Sequence, residues 1–73
     1  MNKQRRREII EAIRKIERIV SSILTEEEEA FDNMPESLQY SERGDISQAA
    51  QDNLSSAIDS LEEAISYLED AGE

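Results

Sequence analysis

The chain of 73 residues carries 18 acidic and 8 basic side chains, for a net charge of −10, and contains neither histidine nor cysteine. A chain this short supports one small domain, whose core is marginal unless it is cross-linked or shared between subunits, and without cysteine no disulfide can do the cross-linking. With no imidazole, thiol, glycine-rich phosphate loop or paired nucleophile and base, the catalytic inventory is carboxylates and two tyrosines, so the expectation is a non-enzyme without cofactor or metal.

Met1 to Arg7 is polar and basic. Three arginines near a helix start oppose the macrodipole, so this end is expected to fray. From Ile9 the pattern tightens: Ile9, Ile13, Ile16, Val20 and Ile23 recur in steps of four and three, with Ile10, Ile19 and Leu24 widening the face. A first amphipathic helix over about 4–33 follows. Thr25 with Glu28 has the form of a capping box and would allow a break there. Phe31, seven residues after Leu24, and the continued phase of Ala30 and Met34 favour one unbroken helix.

Asn33-Met34-Pro35 should end that helix, because proline lacks an amide hydrogen and disfavours α geometry in the residue before it. The connection, about 34–45, is expected to hold one short turn with Leu38 and Tyr40 packed back on the bundle end, then a bend at Gly44. Asp45, with Gln48 three residues on, can cap the second helix, about 46–70, with Gly72 stopping it. Within that helix Asn53 to Glu73 repeats in sevens. Leu54, Leu61 and Leu68 share one position, Ala57, Ala64 and Ala71 the next apolar one, and Ile58 and Ile65 lie beside the alanines.

Charge is divided along the chain. Residues 1–18 hold seven cations and three acids, whereas residues 19–73 hold one cation and fifteen acids. A basic start and an acidic finish attract when they lie side by side, as in an antiparallel hairpin. Each exposed ion pair contributes only about 0–1 kcal/mol, so the charges select orientation more than they stabilise. Leu, Ile, Val and Phe number 16 of the 73 residues, just above the level at which highly charged chains stay disordered. Both helices show more apolar surface than one partner covers. The predicted architecture is therefore all-α: a single antiparallel helical hairpin, residues 1–73, self-associating into a helical bundle, most simply a two-fold dimer forming a four-helix bundle.

The run from Glu26 to Asp45, EEEEAFDNMPESLQYSERGD, lies between the basic first helix and the acidic repeat. It resembles a family of short acidic proteins of phages and prophages of Gram-positive bacteria, most specifically at Asp32 to Gln39 and Ser41-Glu42-Arg43. That family has no assigned activity. The resemblance implies a phage or prophage origin, a bacterial host cytoplasm as location, and a host component as target.

Three side-chain groups are candidate sites. Leu38, Tyr40 and Arg43 are the candidate partner-binding residues, because a long connection spends specific residue types there and Tyr and Arg are enriched at binding hot spots. Arg5, Arg6, Arg7, Arg14, Lys15 and Arg18 are candidate anion-binding residues that a symmetric oligomer could cluster, although pairing with the acidic C-terminal helix is the simpler account of them. Glu26 to Glu29 with Asp32 could offer carboxylates to Ca²⁺ or Mg²⁺, but they lack the spacing of a calcium loop and read as a solvated face. No apolar run approaches a membrane span and no secretion-signal pattern opens the chain, so the expectation is a cytosolic protein without membrane contact. The leading functional expectation is a phage-encoded interaction protein that binds and inhibits or redirects a host component, without direct nucleic-acid binding. Alternatives are an oligomeric sponge for a small anionic signalling nucleotide and an acidic DNA mimic.

Overall fold

The computed structural model describes residues 2–72. Three helices follow one another: α1 (Lys3–Asp32), α2 (Glu36–Gln39) and α3 (Glu42–Asp70). The long helices pack against each other as a hairpin, and the molecule is a rod with axes of 54 × 15 × 11 Å. Its radius of gyration, 16.6 Å, exceeds the roughly 11 Å of a compact domain of this length.

α1 is one unbroken helix of 30 residues. Thr25 is not a cap but a mid-helix residue whose Oγ1 donates to the Ser21 carbonyl at 3.1 Å, the back-bonding that a hydroxyl adopts when no free amide is near. The basic start, expected to fray, is capped. The Asn2 side-chain oxygen accepts from the amides of Gln4 and Arg5 at 2.8 and 3.3 Å, which satisfies two of the unpaired donors of the first turn.

The residues of α1 turned toward α3 follow one stripe: Ile10, Ile13, Glu17, Val20, Leu24, Glu27 and Phe31, each at least half-buried. The apolar face read from the sequence is wider than this stripe and includes Ile9, Ile16 and Ile23, which α3 does not cover. Those three and Ile19 stand 40–53% exposed. Two interleaved stripes run along α1, and the one through Leu24, Phe31 and Met34 keeps large apolar side chains to the turn end. The other meets Glu26 and then only Ala30. Facing α3 with the first stripe buries more apolar area, and that outweighs placing Glu17 and Glu27 in the seam.

α3 supplies Ser47, Leu54, Ile58, Leu61, Ile65 and Leu68 to the same seam, with Ala50, Ala57 and Ala64 half-buried on its flank. Ile65, 5% exposed, is the one buried apolar side chain among the described residues. The core is thin for a geometric reason: two helices can enclose a line of side chains but not a volume. The surface of 5513 Å² is about a fifth larger than the roughly 4,600 Å² of a compact monomer of this mass.

The turn end differs from expectation in three respects. The connection is shorter, because residues 36–39 form α2 and α3 begins at Glu42, four positions before the predicted start. Asp45 lies in the first turn of α3 and Ser41 is the residue that precedes the helix in extended geometry. Gly44 is not a bend. It is a buried helical residue without positive φ, and a Cβ there would strike the backbone carbonyl of Gln39. Glycine is used at this position for close approach of α2 to α3. At the other end Gly72 follows Ala71, the C-cap residue, as expected, but also without positive φ. The space its side chain would fill is taken by the Arg6 guanidinium.

Candidate functional site

The turn end is held by polar side chains that the sequence reading did not single out. After Pro35 breaks α1, the last carbonyls of that helix lack intrahelical donors. The Gln39 amide reaches back to this end, donating at 3.1 Å to the carbonyl of Phe31, which also accepts from the Met34 amide, and at 3.3 Å to the carbonyl of Met34 just past the helix. The Pro35 carbonyl accepts from the amides of Leu38 and Gln39 at 2.8 and 3.1 Å, closing α2. Ser41 does not cap α3 with its side chain; its hydroxyl donates to the Leu38 carbonyl at 2.5 Å. A bond also crosses between the long helices here: the Ser47 hydroxyl donates to Glu27 Oε1 at 2.8 Å. Nothing in sequence spacing marks Gln39 or Ser47, because their partners are eight and twenty residues away.

Among the candidate partner-binding residues, Leu38 and Arg43 line a common depression of about 370 Å³, together with Glu27, Met34, Ile46 and Ser47. Leu38 is half-buried and Arg43 is exposed. Tyr40 does not pack back on the bundle end. It is the C-cap residue of α2 and stands 83% exposed. The physical reason is the α2 turn itself: Gln39 and Leu38 are directed inward, which sends the next side chain into solvent. The three residues thus occupy one end of the rod, with the aromatic ring at its outer edge.

The basic candidates divide between two depressions. Arg6, Arg7 and Arg14 line one of about 640 Å³ with Glu11 and Glu69. Lys15 and Arg18 line another, of about 380 Å³, with Ile19, Ser22 and Ile23; Arg5 lines neither. The first places cations of α1 beside a carboxylate of the end of α3, the arrangement expected of an antiparallel pair. Its two carboxylates weigh against an anionic ligand in the single chain. Glu26, Glu28 and Glu29 are exposed, and no three carboxylates among the described residues converge as a metal site. No helix among the described residues is long and apolar enough to cross a membrane.

Comparison of the chain with family models, with characterised proteins and with solved structures returns no match.

Proposed function

We propose that this chain is a non-catalytic interaction protein that engages a partner protein through the turn end of the hairpin. The observation that carries this reading is Tyr40, an aromatic side chain 83% exposed on a turn whose backbone is tied down on both sides. A large ring presented on a rigid turn loses little conformational entropy on binding. With Arg43 exposed nearby and Leu38 in the shared depression, the end of the rod offers an aromatic, a cation and an apolar recess within one small area. These are the residue types that carry binding energy in protein interfaces. The resemblance of the Glu26–Asp45 segment to phage proteins supplies the class of partner, a host component that is inhibited or redirected.

The test is capture of a protein from bacterial lysate by the native chain and by Tyr40→Ala/Arg43→Ala. The expected result is loss of capture by the double variant with unchanged circular dichroism and unchanged mass in solution. Undiminished capture by the folded variant would overturn the assignment to the turn end.

A further inference from the structure

The flank of the hairpin that carries Ile9, Ile16, Ile19 and Ile23 has a counterpart on α3. Ile9, Ile16 and Ile23 each stand one position before a seam residue of α1, Ala57 and Ala64 each one position before a seam residue of α3, and Ala50 one position before the half-buried Gln51 in the same phase. In two antiparallel helices of the same hand, such positions lie on the same side of the pair. The opposite flank agrees with this geometry, since Glu11, Arg14 and Glu69, each one position after a seam residue (Ile10, Ile13 and Leu68), line one depression. The isoleucine ridge and the alanine stripe therefore form one face.

On α1 the ridge is bordered by Lys15 and Arg18, which share a depression with Ile19 and Ile23, and on α3 the face is free of charge from Ile46 onward. α3 holds eight acids and one cation between Glu42 and Asp70, yet its positions on this side from Ile46 onward read Ile46, Ala50, Asn53, Ala57, Ser60, Ala64 and Tyr67. Ile46 and Tyr67 are 63% and 67% exposed. In a chain of net charge −10, an acid-free stripe beside four exposed isoleucines is a surface made for burial.

We propose that this face pairs with a second copy of the chain about a two-fold axis parallel to the helices, each isoleucine ridge lying on the alanine stripe of the other copy's α3. Shape favours this arrangement, because isoleucine fills the space that alanine leaves when helices approach. Charge favours it over the alternative in which α1 meets α1 and α3 meets α3. The alternative sets two acid-rich helices side by side. The proposed one places the basic start of α1 against the acidic finish of the other α3, repeating the pairing inside each hairpin. The rod is 54 Å long, so one face running along both helices gives two copies an extended contact, where a standard stable interface buries roughly 800 Å² per partner.

The chain has no native cysteine, which permits a direct test. Sedimentation equilibrium of the unmodified chain is expected to give twice the chain mass of 8.3 kDa; any other mass overturns the proposal. Ile16→Glu is expected to halve that mass, while Ser55→Glu, on the opposite flank, leaves it unchanged. The reverse pattern overturns it. An equimolar mixture of Ile16→Cys and Ala57→Cys chains, oxidised mildly, is expected to yield the mixed disulfide in excess over both symmetric ones. A dominant Ile16–Ile16 position bond would show the α1-on-α1 arrangement and overturn the one proposed. None of these readouts depends on capture of a partner at the turn end.

Discussion

The Ser47 hydroxyl, on a residue 3% exposed, donates to the Glu27 carboxylate at 2.8 Å across the two long helices. Gln51 Nε2 approaches the same hydroxyl oxygen at 3.5 Å. This is the one side-chain hydrogen bond between α1 and α3 among the described residues, and it holds their register next to the turn. A seam glutamate that accepts such a bond recovers part of the hydration it loses on burial.

Ser47→Ala removes the donor and leaves the Glu27 carboxylate half-buried with less support. The expected cost is about 1–2 kcal/mol, read as a lower thermal midpoint by circular dichroism at fixed protein concentration. Glu27→Gln keeps an acceptor and should cost less. Glu27→Ala removes the acceptor, and if its loss and that of Ser47→Ala add in the combined variant, the bond contributes nothing beyond its separate residues.

Glu17 occupies the seam between Ile13 and Val20 with its Oε2 buried and without a hydrogen-bond partner. Replacing it by leucine exchanges an unsupported polar atom for apolar contact. Glu17→Leu should raise stability by about 1–2 kcal/mol, visible as a higher thermal midpoint. A fall would mean that solvent reaches this carboxylate in solution.

The two glycines should respond differently to alanine. At Gly44 the added Cβ meets the backbone of Gln39, which cannot yield without moving α2, whereas at Gly72 it meets only the flexible end of Arg6. Gly44→Ala is expected to destabilise by about 1–3 kcal/mol despite the better helix propensity of alanine. Gly72→Ala should be near neutral. Hydrogen exchange in residues 36–44 would locate the Gly44 effect, and equal exchange in both variants would refute it.

Gln39→Ala withdraws the two donors that finish α1. The Met34 carbonyl would turn to water, the Phe31 carbonyl would keep only the Met34 amide at 3.0 Å, α2 would loosen, and Tyr40 would lose its fixed presentation. The expected result is faster amide exchange over the turn with the midsections of α1 and α3 unaffected. Gln39→Glu, which keeps length but loses the donors, should behave as alanine does; protection equal to that of the native chain would show that the Gln39 side-chain bonds do not hold the turn.

Much of the hairpin was legible in the residues because it depends on local physics. Heptad spacing in Asn53 to Glu73 gives one dominant apolar face, Pro35 cannot continue α1, and the basic start attracts the acidic finish, so two long helices lying antiparallel follow from sequence neighbours alone. The unbroken passage through Thr25 was also readable, since Phe31 keeps the phase of Leu24. The selection between the two isoleucine stripes of α1 was not readable in the same way, because both satisfy helical periodicity. It depends on which stripe meets α3 along its whole length, a property of the pair. For the same reason Gly44 reads as a bend in isolation and is a contact point only once Gln39 arrives from another helix. Ser47 and Gln39 likewise are ordinary polar residues until folding brings Glu27 and the end of α1 within reach. Local periodicity thus determined the elements and their orientation, and tertiary packing decided which faces are covered, which polar atoms find partners, and that Tyr40 is left facing water.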